Sequence, residues 1–211
     1  ASSHDKNWNL KTLEIAFDRT CQFACSYCNP AFSTTWANDI KLKGPYDNLQ
    51  SDGRNHFTHP HDSAEPYQKD ETNPYVEAFY KWWESDLHKT LDELRITGGE
   101  PMMVKGLNKF LAKLDPSVEV RFNTNGTLFN PKVFNELKRF ERVNMNFSID
   151  GIGRTNDYIR WGSNWDVVEY NLNKFREVAD VSLGPTVQIM NVLEYDDYVE
   201  YAQANQLEIF D

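Results

Sequence analysis

The chain has 211 residues and a formal charge of -10 at pH 7, from 22 Lys and Arg against 32 Asp and Glu. That balance argues against a surface built to hold phosphate backbones, so nucleic acid is not an expected partner. The length suits one domain with a large excursion, and no run approaches the ~18 apolar residues of a membrane span, so a cytoplasmic protein with no membrane partner is expected.

In chain order, the alternating stretch LEIAF at 13–17 reads as a strand. It delivers the loop TCQFACSYCNP at 20–30, which holds the chain's three cysteines, Cys21, Cys25 and Cys28. An odd cysteine count in one loop is a poor disulfide framework and reads as an intracellular metal site. Residues 31–74 are polar and rich in turn formers, and a stretch of that kind longer than ~15 residues is usually a lid or binding loop. A lid-like insertion over the cysteine loop is expected, with His56, His59 and His61 as solvated loop residues rather than ligands.

Strand and helix then alternate. Helical spacing at 74–91, with Trp82 and Trp83 expected to pack on the sheet, precedes a strand at 93–97 that runs into GGEP at 98–101. Helix 102–114, strand 118–124, helix 131–140 and strand 143–149 follow. Helix 164–178 has apolar residues at Val167, Val168, Leu172 and Phe175, and strand 185–190, helix 194–205 and strand 207–210 complete the series. Six strands joined by helical crossovers imply a parallel sheet, hence an α/β layer structure or a barrel.

Three cysteines are one short of a structural zinc site, which takes four ligands. They are also one short of the four thiolates that normally hold a four-iron cluster, and the shortfall leaves one iron open to a substrate or cofactor. Elsewhere the residues carry double meanings. Gly98 and Gly99 suit a βα turn, while Glu100 beside them suits an ammonium group. Asn123 and Asn125 fit turn chemistry, Ser148 and Asp150 fit a helix cap, and Arg160 fits an exposed helix position.

The spacing C-x3-C-x2-C, with Tyr27 before the last cysteine, resembles the signature of the radical S-adenosylmethionine (radical SAM) superfamily. GGEP at 98–101, NTNGT at 123–127 and SIDG at 148–151 are similar to that family's later motifs, in the family's order. SIDGIGRTNDYIR at 148–160 also resembles the S-x-D-G-x4-H-D-x2-R pattern of the SPASM/twitch branch, with Asn156 standing where that pattern has histidine. The resemblance implies a partial (β/α)6 TIM-like barrel and a [4Fe-4S] cluster on Cys21, Cys25 and Cys28. It also implies contacts to S-adenosylmethionine from Tyr27, Gly98, Gly99, Glu100, Asn123, Asn125, Ser148, Asp150, Arg160 and Asn191.

The activity so implied is reductive cleavage of S-adenosylmethionine to a 5'-deoxyadenosyl radical that takes hydrogen from a substrate. A donor such as flavodoxin or ferredoxin would supply the electron. The branch favours a peptide or protein substrate. The alternatives are a small-molecule enzyme resembling 7-carboxy-7-deazaguanine synthase, and a non-catalytic metal-binding module. Residues 1–211 are expected to form one core domain without the cysteine-bearing C-terminal extension of that branch.

Overall fold

Period-two alternation builds the sheet. Leu94 and Ile96, Val120 and Phe122, and Met145 and Phe147 are all buried, whereas Arg95, Arg121, Asn123, Asn144 and Asn146 between them face the other side. A computed structural model describes residues 9–50, 57–58 and 74–210. The elements are β1 (Thr12–Ala16), β2 (Ala24–Cys25), α1 (Thr34–Lys43), α2 (Pro74–Ser85), β3 (Glu93–Thr97), α3 (Leu107–Leu111), β4 (Glu119–Thr124) and α4 (Pro131–Leu137). They continue with β5 (Val143–Phe147), α5 (Arg154–Ile159), β6 (Arg160–Trp161), α6 (Trp165–Phe175), β7 (Asp180–Leu183), α7 (Tyr195–Ala204) and β8 (Glu208–Ile209).

Six strands pair in the order β1-β3-β4-β5-β7-β8, every pair parallel. The two end strands do not bond to each other among the described residues, so the fold is a partial, open (β/α)6 barrel. The helices cover the apolar face: Phe79 and Trp83 of α2, Phe110 and Leu111 of α3, Val133 and Leu137 of α4, Val168 and Leu172 of α6 and Tyr198 of α7 enter one core. Each large apolar side chain so buried contributes about 1.5–3 kcal/mol. The uncovered face is polar and shapes a cavity of about 260 Å³ lined by Arg95, Arg121, Asn123, Asn144, Asn146 and Ser182, among others. Strand ends point every βα connection to one rim, where loops of barrel folds converge.

Local chemistry sets the boundaries. Asn130 accepts from Lys132 N and Val133 N ahead of Pro131, and Asn164 accepts from Val167 N, so each caps its helix. No helix among the described residues is long and apolar enough to cross a membrane.

Four expectations need correction. The fifth parallel strand is β7 at Asp180–Leu183, not 185–190. Gly184 N still donates to Phe147 O at 2.8 Å, but Pro185 has no N–H for a ladder, so the strand ends there and Val187, Ile189 and Met190 are left exposed. The helix expected at 102–114 is broken: a 3₁₀ turn at Pro101–Met103 precedes α3, separated by Gly106 at φ +79°. Trp83 is buried as expected, but Trp82 is 36% exposed. Part of the expected insertion is the regular helix α1. Phe57 is buried against it, its ring 5.2 Å from Trp36. His56, His59 and His61 lie outside the described residues.

Candidate functional site

The cysteine loop leaves β1 at the convergent rim and is gripped by the start of α1. Ser33 caps that helix through Trp36 N and donates its hydroxyl to Phe23 O at 2.5 Å. Thr35 Oγ1 donates to Cys21 O at 2.7 Å, Thr34 Oγ1 accepts from Cys21 N at 3.2 Å, and Trp36 Nε1 donates to Cys25 O at 3.0 Å. Within the loop Cys28 N donates to Cys25 O at 3.1 Å. All three thiols are free, with Cys25 buried and the other two half-buried. Burial pushes Cys21 and Cys25 up to about 11 and also raises Cys28, and the sulfurs further raise one another.

The second rim segment needs its glycines for space. Gly99 N donates to Asp18 O and Glu100 N to Thr20 O, so the turn after β3 is stitched to the turn after β1. A Cβ on Gly98, whose φ is +126°, would sit 2.5 Å from Asp18 O, and one on Gly99 would sit 2.4 Å from Thr20 O. That close approach buries Glu100, which accepts from Met102 N at 3.0 Å, Thr124 Oγ1 at 2.8 Å and Asn125 N at 2.7 Å. Burial raises its carboxyl pKa in spite of those donors.

The third segment centres on Asp150, whose side chain is fully enclosed. Its Oδ2 accepts from Arg160 Nε at 2.7 Å and from the Tyr27 hydroxyl at 2.7 Å, and its Oδ1 accepts from Thr186 N at 2.7 Å. Arg160 Nη2 also donates to the Tyr27 hydroxyl. Tyr27 is 40% exposed, while its hydroxyl is hydrogen-bonded to both charged groups. Asn156, in the place of the pattern's histidine, accepts from Asp150 N at 3.1 Å and donates to Ser163 Oγ at 3.0 Å.

The site residues thus fall into distinct groups. Cys21, Glu100 and Asn125 form one neighbourhood, and Cys25, Tyr27, Asp150 and Arg160 another beside it. Asn191 folds back from the β7 loop and donates to Asp150 O at 2.7 Å and Thr186 O at 2.9 Å. Ser148 is half-buried at the top of β5, with its N–H on Thr124 O. Asn123 lies apart, since the pleat turns it to the concave face, where it accepts from Arg95 Nη2 at 3.3 Å. Sequence reasoning missed Gln22 and Thr127, which donate to Asn125 Oδ1 at 3.2 and 2.7 Å. It also missed Thr124 and the Ser33–Trp36 grip. An S-T-T run ahead of a helical stretch was the available signal for that grip.

The donors fit an iron–sulfur group and an aminoacyl cofactor. Among the described residues no three Cys, His, Asp or Glu side chains converge as they would on a single ion. Three free thiols spaced around one loop suit a larger inorganic group better than zinc. Glu100 is a buried carboxylate outside any ion pair among the described residues, and Asn125 Nδ2 beside it is a buried donor without a partner there. Together they offer an acceptor for an ammonium group and a donor for a carboxylate or hydroxyl.

Comparison with known proteins gives a consistent family. The model described as the Radical SAM superfamily matches residues 15–202. A GTP 3',8-cyclase of Helicobacter pylori is 25% identical over 205 residues, covering 93% of this chain and 53% of that protein. One from Stenotrophomonas maltophilia is 30% identical over 145 residues, covering 67% of this chain and 34% of that protein. The chain spans about half the length of the curated relatives it matches. Streptococcus suis SuiB bound to S-adenosylmethionine superposes with TM-score 0.60 at 14% identity, covering 93% of this chain and 39% of that one. Native anSMEcpe with bound AdoMet and a peptide gives TM-score 0.56 at 14% identity, covering 94% and 49%. At such identities the likeness is one of fold.

Proposed function

The chain belongs to the radical SAM superfamily, and on that premise we propose that Cys21, Cys25 and Cys28 hold a [4Fe-4S] cluster beside a site for S-adenosylmethionine. The observation that carries this reading is the meeting of three free thiols with a buried carboxylate that has no ion-pair partner among the described residues, Glu100, which is close enough to raise Cys21 electrostatically. When bound, the cluster and cofactor supply a 5'-deoxyadenosyl radical able to abstract hydrogen.

The chain's own residues bind and orient. Glu100 and Asn125 receive the amino and carboxylate ends of the cofactor's methionine part. The Gly98–Gly99 turn brings backbone within reach, and Tyr27 covers the cysteine loop from the solvent side. Ser148 at the end of β5 lies near enough to the same rim to serve the ribose. An electron donor such as flavodoxin or ferredoxin is the reductant.

Two substrate classes are open to such a site. The S-x-D-G pattern at 148–160 supports a peptide. The concave face supports a small polar molecule, because its cavity of about 260 Å³ is lined mainly by polar groups, the ion-paired Arg95 and Arg121, the amides of Asn123, Asn144 and Asn146, and Glu93 and Glu208 among them, and the sequence relatives are named GTP 3',8-cyclases. We favour the small polar molecule.

Anaerobic reconstitution followed by iron, sulfide and 5'-deoxyadenosine analysis tests the assignment. About four irons per chain and dithionite-dependent deoxyadenosine are expected. A single bound zinc, or an intact cluster with no cofactor cleavage, would overturn it. Mass analysis of products from GTP and from short peptides then separates the substrate classes.

A further inference from the structure

Arg160 has a geometry that cofactor binding does not explain. It stands opposite Cys25 in the two-residue antiparallel ladder between β2 and β6. Residues directly opposite in such a ladder project to the same face. The adjacency is locked on both sides: Ser26 N donates to Ile159 O at 2.8 Å, and Ser163 N donates to Arg160 O at 2.8 Å. Three nitrogens of the guanidinium each have a partner. Nε meets Asp150, Nη2 meets the Tyr27 hydroxyl, and Nη1 lies 4.0 Å from Cys25 Sγ.

Resting on the cluster assignment above, we propose that Arg160 is a positioning residue for the iron–sulfur group: a buried cation clamped by Asp150 and Tyr27 so that its Nη1 edge faces the Cys25 sulfur. Asp150 and Tyr27 occupy its other edge, which makes the pair a dipole with its positive end toward the sulfur. Charge and hydrogen bonds at the sulfurs are among the protein's levers on cluster potential. Reduction adds one electron to the cluster, so a fixed cation at this distance favours the reduced form. Neutralising Arg160 therefore makes the cluster harder to reduce.

The test is an EPR-monitored redox titration of the reconstituted full chain, with iron content and S-adenosylmethionine affinity measured beside it. Arg160→Gln should keep its iron and show at least a tenfold shift against reduction, equal to about 59 mV for one electron. Arg160→Lys, which keeps the charge, should recover most of that shift. Loss of the cluster in Arg160→Gln with retention in Arg160→Lys also supports the role. An unchanged potential in an iron-loaded Arg160→Gln, with or without weakened cofactor binding, would overturn it.

Should both variants fail to take up iron, Tyr27→Phe decides. It removes the Nη2 partner and leaves the charge, and a potential moved in the same direction supports the clamp, whereas an unmoved one refutes it. Absence of a cluster from the unaltered chain would instead remove the functional assignment itself, together with this role.

Discussion

Cys25 and Arg160, 135 residues apart in sequence, face each other across a two-residue antiparallel ladder, and this contact joins the first rim loop to the segment after β5. The ladder is the only pairing outside the six-stranded sheet among the described residues. Beyond the flanking backbone bonds from Ser26 N and Ser163 N, side-chain bonds hold it. Asp150 supplies most of them, and through Thr186 N and Asn191 it also fixes the β7 loop.

Asp150→Asn should therefore destabilise the metal-free chain. Its partner Arg160 is 8% exposed at the side chain, and a buried ion pair broken on one side leaves an uncompensated charge that costs about 3–5 kcal/mol. Urea denaturation followed by circular dichroism measures this. A loss below about 1 kcal/mol would show that the pair is not held as described.

Gly99→Ala tests the close approach of two rim turns. Its φ is ordinary, so space alone is at issue: the new methyl would meet Thr20 O at 2.4 Å and Arg19 O at 2.5 Å. Both contacts are backbone and cannot swing aside. A cost of about 1–3 kcal/mol is expected, with reduced iron uptake because the displaced residues adjoin Cys21.

Ser33→Ala removes a helix cap and a bond to the cysteine loop together. Ser33 is fully buried and serves both Trp36 N and Phe23 O. About 1–2 kcal/mol should be lost. Hydrogen exchange should rise at residues 21–25 as well as in α1. Exchange confined to α1 would contradict the coupling.

Glu100 predicts a pH dependence. Burial raises its carboxyl pKa above the ordinary value of 4.5, so the folded chain holds this proton more tightly than the unfolded chain. The associated stability is fully present below about 4.5 and is lost as pH rises through the folded value, with a slope of at most about 1.4 kcal/mol per pH unit. The difference in urea midpoint between the unaltered chain and Glu100→Gln, measured upward from pH 4.5, should reveal that slope. A pH-independent difference would place Glu100 at its ordinary value.

Much of this fold was legible from local pattern. The strand at 93–97 is β3 to the residue, and those expected at 118–124 and 143–149 differ from β4 and β5 by one or two residues at an end. Periodicity and punctuation by Gly and Pro act over a few residues, so they can be read before any partner is known. The three cysteines, the GGEP turn and the S-x-D-G segment were legible for the same reason: each is a short run whose spacing carries its meaning.

Partners are another matter. Asn123 and Asn125 look equivalent in N-T-N-G-T, yet the pleat sends the first to Arg95 and leaves the second beside Glu100. The apolar alternation of PTVQIM imitates a strand, but Pro185 ends the ladder and only the strand order shows which four residues pair with β5. Arg160 had an open role until β2 and β6 came together and turned it toward Cys25. Sequence by itself determined the strands and the short motif runs that end at the convergent rim, because those depend on short-range alternation and spacing. Tertiary structure decided which of them touch, because contact depends on register, burial and neighbouring charge, which arise only when distant segments close on one another.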